Sequence, residues 1–139
     1  MNTTIIQKAI VKNNDGNLLI LRRSSKDTRR PLEWDLPGGL FEYGEEMLFG
    51  VEREIKEETG LEVTGTKAVY SKTEHRIWEN GEANAVFLFY LADAVKGNVV
   101  LSNEHDLYKW VTLSDAIDLI KYDLHKELLK YVQTYKLLK

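Results

Sequence analysis

The sequence predicts an α/β protein in which helices pack on a β-sheet, and three observations predict it. Residues 83–92, ANAVFLFYLA, are almost wholly apolar, as a central strand covered on both faces requires. Asp123–Leu138 places Leu124, Leu128, Leu129, Val132 and Tyr135 at helical spacing, the pattern of an amphipathic helix lying on a sheet. A second helical pattern, counted from Glu45, gathers Leu48, Val51 and Ile55 on one face. At 139 residues the chain is one domain by length, spanning 1–139.

Taken in order, Ile5–Val11 and Leu18–Leu21 read as strands joined across Asn13–Asn17, with Asp15-Gly16 as the turn signal. Arg22 and Arg23 end the second strand, and Ser24–Pro31 is a polar, basic loop that can reach over a ligand. Glu33–Leu36 is a short strand leading into Pro37-Gly38-Gly39, whose glycines let the backbone approach an ion or phosphate closely. Trp34 beside it reads as a buried tryptophan or a surface for stacking a base. After the helix, residues 62–77 form a long strand joined to 83–92 by an Asn80-Gly81 hairpin turn. Lys96-Gly97-Asn98 turns the chain before a short strand at Val99–Leu101, and a further strand covers Tyr108–Val111. Ser114-Asp115 caps a short helix to Ile120. His75 and His125 read as surface residues.

The stretch Gly39–Leu61 organises the rest. Glu54, Glu57 and Glu58 stand at i, i+3 and i+4 and share one helix face. Like charges so close cost an isolated helix about 0.2–0.5 kcal/mol per pair, so the stripe needs a neutralising partner. A divalent cation is the simplest one; a solvated acidic face is the plain alternative. Carboxylate oxygens without cysteine favour magnesium or manganese over zinc. Gly50 in mid-helix costs about 1 kcal/mol against alanine and predicts open space for a ligand. Glu45 and Glu46 suit a first turn, and Gly60 supplies the left-handed residue that ends the helix.

Gly39, five residues, Glu45, seven residues, then Arg53-Glu54-Ile55-Lys56-Glu57-Glu58-Thr59-Gly60-Leu61 resembles the Nudix box, the signature of the Nudix hydrolase superfamily, at every specified position. An accidental match is expected on the order of once in ten million chains of ordinary composition. The resemblance implies the Nudix fold, a mixed β-sheet sandwiched between helices. It implies magnesium, with manganese as substitute, held by Glu54, Glu57, Glu58 and the carbonyl of Gly38, while Arg53 holds the carboxylates in place. Glu45 is implied to support the site. The family places a further acid or histidine in the segment Ser102–Asp106, which points to Glu104, and less strongly to His105; Glu54 or Glu104 is then the base that takes the proton from water. Arg23 is implied to face the substrate phosphates, with Arg22 as its neighbour, Arg29 and Arg30 as further contacts, and Trp34 and Trp78 as aromatic contacts. The implied reaction is hydrolysis of a diphosphate linkage in a nucleoside diphosphate derivative. A nucleoside triphosphate giving monophosphate and pyrophosphate fits the small size; dinucleoside polyphosphates, ADP-ribose and nucleotide sugars are alternatives, and a silent nucleotide sensor is one of another class.

Composition narrows the classes. The chain has no cysteine, which excludes disulfides, a thiolate metal site and the isomerase chemistry that some members of this superfamily run on a cysteine. A net charge of -3 argues against a nucleic-acid polymer as partner. No apolar run is long enough to span a membrane and no secretory signal is present, so a cytoplasmic monomer or homodimer is expected.

Overall fold

The computed structural model describes residues 2–79 and 81–138, with the Trp78 side chain outside the description. One mixed sheet contains β1 (Asn2–Lys12), β2 (Leu18–Arg23), β3 (Trp34–Asp35), β4 (Gly38–Leu40), β5 (Glu62–Trp78), β6 (Gly81–Lys96) and β7 (His105–Val111). Its main path runs β3-β2-β1-β6-β5, with β4 pairing on β1 and β7 on β2. β1 and β6 are parallel, and the other pairs are antiparallel. β6 lies between β1 and β5, where its apolar run is covered on both faces.

The period of two along the strands divides the core into two layers. Ala9, Val11, Leu19 and Leu21 face α1 (Met47–Thr59) and pack with its Val51 and Ile55. Ile10, Leu18 and Ile20 face the other way, with Phe87 and Phe89, and pack under α2 (Leu113–Leu119) and α3 (Asp123–Thr134). The result is the expected α-β-α sandwich. Each fully buried leucine or isoleucine contributes roughly 1.5–3 kcal/mol, so these two layers hold the fold.

Several local expectations are corrected. α1 starts at Met47, because residues 42–46 turn through Gly44 (φ 85°) and Glu46 is extended, so no acid occupies the first helical turn. The buried stripe of α1 continues back from Val51 to the half-buried Met47; Leu48 is exposed. Gly50 is buried and has no open space, since a Cβ there would lie 2.6 Å from Glu45 Oε1. Val99–Leu101 is a loop, held by a Val100 N–H bond to Thr59 O (2.8 Å). Thr112, rather than Ser114-Asp115, caps α2, accepting from the Asp115 N–H. α3 stops at Thr134, leaving Tyr135 exposed, and His125 on its apolar face is fully buried. Gly60 closes α1 in the left-handed conformation (φ 75°), as expected. The β5–β6 hairpin sets Trp78 opposite Gly81; Asn80 of its turn lies outside the described residues.

Candidate active site

The carboxylates of α1 reach their positions because two glycines let them lie against β4. A Cβ on Gly39 would sit 2.6 Å from Glu54 Oε2, so only glycine leaves that carboxylate its place on the strand. Gly38, at φ 143°, presses so closely on β1 that a Cβ would meet Gln7 O at 2.0 Å. Its N–H donates to Glu58 Oε1 at 3.0 Å. One helix face and one strand thus fix two acids side by side.

Arg53 gathers the remaining acids. Its guanidinium donates to Glu45 (2.6 and 3.1 Å), Glu57 (2.9 and 3.0 Å) and Glu54 (3.2 Å). The hydrogen bonds it donates to Glu45 and Glu57 raise its pKa further above the usual arginine range. The acid stripe is therefore neutralised in part within the chain, which corrects the expectation that a captured cation does this alone.

Glu54 and Glu58 line a cleft of about 1270 Å³, together with Gly38, Gly39, Glu104 and His105. Burial pushes the Glu58 carboxyl up to about 7, opposed by the Lys8 ammonium and the Gly38 N–H. Burial also raises Glu54, against the pull of Arg53. Ligand atoms of Glu58, Glu104 and His105 lie within 4.8 Å of one another. The same cleft carries Arg23, Arg29, Arg30 and Arg76. Carboxylates and guanidinium groups thus share one cleft, a combination suited to a metal and an anionic chain of phosphates.

A buried charge cluster at the back of the cleft was not read from the sequence. Asp35 is fully buried and takes Lys8 Nζ (3.3 Å) and Arg23 Nη1 (2.7 Å), with His125 Nδ1 3.2 Å away. Burial works to raise Asp35, but Lys8 and its other neighbours outweigh that and hold it well below the usual carboxylate range. Burial lowers His125 in turn, against the pull of the Asp35 carboxylate. Arg23 also donates to Asp27 (2.5 Å), and Arg30 lies 4.1 Å above the Tyr122 ring. Lys8 within an apolar strand, and His125 one residue after Leu124 on a leucine-lined helix, were the available signals.

Of the residues singled out in the sequence, the cleft brings together Gly38, Glu54, Glu58, Glu104, His105, Arg23, Arg29 and Arg30. Glu57 is more than half exposed and turned to Arg53, away from the cleft lining. Arg22 pairs with Asp106 instead (2.8 and 2.9 Å). Trp34 is half-buried against the apolar layer, with the Lys109 ammonium 5.2 Å from its ring centre, and does not line the cleft. His75 is exposed, as expected.

This fold and this cleft are those of a phosphate-processing hydrolase family, and comparison identifies it. The NUDIX domain model matches residues 5–133, so the chain belongs to the NUDIX family and is a Nudix hydrolase. The nucleoside triphosphatase NudI of Klebsiella pneumoniae is 30% identical over 119 residues, covering 81% of this chain and 82% of that protein. A MutT-like protein of Streptomyces ambofaciens is 34% identical over 105 residues, 74% of this chain, which spans 60% of that relative's length. Among solved structures, a MutT protein from Methanosarcina mazei superposes with a TM-score of 0.74 at 26% identity, covering 97% of this chain and 96% of the other. The Escherichia coli dihydroneopterin triphosphate pyrophosphohydrolase shares the fold at 18% identity, with a TM-score of 0.75 over 91% of this chain and 92% of its own.

Proposed function

We propose that the chain hydrolyses the diphosphate linkage of a nucleoside triphosphate, releasing a nucleoside monophosphate and pyrophosphate, with magnesium or manganese bound by carboxylates of the cleft. The observation that carries this reading is that one cleft is lined both by the carboxylates of Glu54, Glu58 and Glu104 and by the guanidinium groups of Arg23, Arg29 and Arg30. The resemblance to NudI and to MutT-like proteins supports the substrate class.

The donor set fits a hard divalent cation. Glu58 is buried without a full counter-charge, and burial has pushed it up to about 7, which is the penalty a bound cation relieves. Glu54 and Glu58 would hold the ion; the resemblance adds the Gly38 carbonyl and Glu57, which here is turned to Arg53 and would have to leave it to join them. When bound, such an ion supplies positive charge to the phosphate oxygens and makes water more acidic.

The protein's own groups do the rest. Arg23, fixed by Asp27 and Asp35, presents a rigid cation to the phosphate chain, which orients it. Arg53 is a positioning residue: anchored on Glu45, it holds Glu54 and Glu57 directly. Glu54 or Glu104 accepts the proton as the water oxygen bonds to phosphorus and the bond to the bridging oxygen breaks. Arg22, paired with Asp106, takes no part.

A panel of nucleoside triphosphates, dinucleoside polyphosphates, ADP-ribose and nucleotide sugars with magnesium, read out as monophosphate and pyrophosphate, tests the proposal. Release of pyrophosphate from a triphosphate is the expected result. Turnover of a dinucleotide or sugar nucleotide alone would move the substrate within the family, and binding without turnover would make the chain a sensor.

A further inference from the structure

β5 is the outermost strand of the main sheet path, and among the described residues it pairs with β6 alone. Its outer side therefore carries a row of backbone N–H and C=O groups with no strand beside them, a template for another strand. The geometry points to a second copy of this chain as the occupant, its own β5 pairing antiparallel to this one about a two-fold axis through Thr73. This pairing does not depend on the hydrolase reading above.

Only one stretch of β5 is open to such a partner. The strand slips register against β6 between Glu62 and Val63, between Thr64 and Lys67, and between Ala68 and Tyr70, but runs without a slip from Tyr70 to Trp78. Bulges spoil an edge as a template, which confines pairing to the slip-free run. There Ser71, Lys72, Thr73, His75 and Ile77 are exposed, Ile77 by 71%.

Charge picks both the occupant and the register. When two identical antiparallel strands are related by a two-fold axis perpendicular to the sheet, opposed residues share a face, so the axis passes through a residue. An axis through Thr73 opposes Lys72 to Glu74, Tyr70 to Arg76 and Ser71 to His75, each twice, and sets no like charges face to face. Moved to Lys72, the axis would oppose two ammonium groups; at Glu74 it would oppose two carboxylates and set Lys72 against Arg76. At His75 it would face two imidazoles and only repeat the Glu74–Arg76 contact that the chain already makes at 3.1 Å. Axes through Ser71, Arg76 or Ile77 keep no more than five residues of the slip-free run. A lysine on an edge strand ordinarily repels another strand, but here Lys72 is matched by the acid two residues on.

The side chains already stand where this pairing needs them. Tyr70 OH and Lys72 Nζ both reach Glu127 of α3 (3.2 and 3.3 Å), and Glu74 and Arg76 both reach the Tyr122 hydroxyl (3.2 and 3.0 Å). All four therefore lie on the α3 face of β5, where the axis brings Lys72 of each copy against Glu74 of the other. Cross-strand pairs of opposite charge, and a guanidinium beside an aromatic ring, stabilise neighbouring strands. Arg76 also lines the cleft, so Tyr70 of the second copy stands opposite a residue of the cleft wall.

Sedimentation equilibrium of the full chain needs no variant: a reversible dimer is expected, and a chain that stays monomeric to millimolar concentration overturns the proposal, whether or not the edge takes an extended peptide of another protein. Disulfide formation reads the register, because the chain has no cysteine of its own. Thr73→Cys puts its thiol on the axis, with opposed Cα atoms about 4.5–5.5 Å apart, whereas the two thiols of His75→Cys would lie about 13 Å apart along the strands. Under mild oxidation the first variant is expected to crosslink at least about tenfold faster; equal rates, or faster crosslinking at position 75, would refute the axis at Thr73. Glu74→Lys and Lys72→Glu are each expected to weaken dimerisation about tenfold, and mixing the two variants to restore it, since each charge then meets its opposite. A dimer indifferent to both substitutions, or folded variants that stay apart when mixed, would place any association on another surface. If a charge variant fails to fold, sedimentation of the parent and the crosslinking pair still decide.

Discussion

Arg53 Nε lies 2.6 Å from Glu45 Oε2, joining a residue inside α1 to one in the loop before it. The contact explains two oddities at once. Glu45 turns onto the helix, where Gly50 leaves room for its carboxylate, and from there it steers the one guanidinium that also holds Glu54 and Glu57. The acid face is ordered before any ligand arrives, which is how a site lowers the cost of reaching a productive geometry.

Replacing that guanidinium should therefore damage rate more than affinity. Arg53→Ala is expected to lower kcat about a hundredfold with KM changed little, and Arg53→Lys to recover only part, because an ammonium lacks the fixed fork. Steady-state kinetics on the preferred nucleotide check it. A KM effect alone would place Arg53 in substrate binding instead.

Gly39→Ala isolates the position of one carboxylate. Gly39 does not occupy the left-handed region, so alanine is tolerated by the backbone, but its Cβ would meet Glu54 Oε2 at 2.6 Å. The expected outcome is a displaced Glu54, a fall in kcat of about a hundredfold and a stability loss of about 1 kcal/mol. A crystal structure of the variant with Glu54 unmoved and activity intact would contradict this role for the glycine.

Glu58→Gln separates stability from function. The buried carboxyl of Glu58, raised to about 7, is held against its desolvation penalty, so the amide should leave metal-free thermal stability unchanged or higher. Divalent-cation binding should weaken and turnover fall by about a thousandfold, roughly 4 kcal/mol of barrier. Calorimetric titration and thermal melts with and without manganese read the two effects separately.

The cluster at the back of the cleft predicts how the protein responds to acid. Asp35 is held below its unfolded value of 3.8 and His125 below its unfolded value of 6.5. In both cases the unfolded chain binds more protons than the folded one, so stability rises with pH through each window. Asp35 and His125 lower the melting temperature as pH drops through His125's unfolded value of 6.5 and again below Asp35's 3.8, whereas Glu58, raised to about 7, adds stability as pH falls below that value and offsets part of the first decline. His125→Gln should hold its melting temperature better than the parent as pH drops through 6.5 and keep the decline below 3.8; a difference between the two proteins that does not vary with pH would assign the first window to other groups.

What could be read from the chain was local. The spacing of Glu54, Glu57 and Glu58, the cap at Gly60 and the apolar periods of β6 and α3 each depend on neighbours within a turn or a pleat, and they predicted the sandwich and the acidic face. The charge cluster could not be found that way. Lys8, Asp35 and His125 come from β1, β3 and α3 and meet only when the sheet and its last helix are packed together. The same distance in sequence hid the reason for Gly50: it reads as open space until Glu45 is seen folded back over the helix. Arg22 and Arg23 look equivalent in sequence, and only the slip in the β2–β7 ladder sends one to Asp106 and the other to Asp27 and Asp35.

Hydrolysis in water enriched in oxygen-18, with magnesium and a nucleoside triphosphate as substrate and mass spectrometry of both products, shows whether water attacks phosphorus. One heavy oxygen is expected on a phosphorus of either the monophosphate or the pyrophosphate, and none in the presence of a chelator. Heavy oxygen in the sugar, or an intact triphosphate after prolonged incubation with either metal, would contradict it.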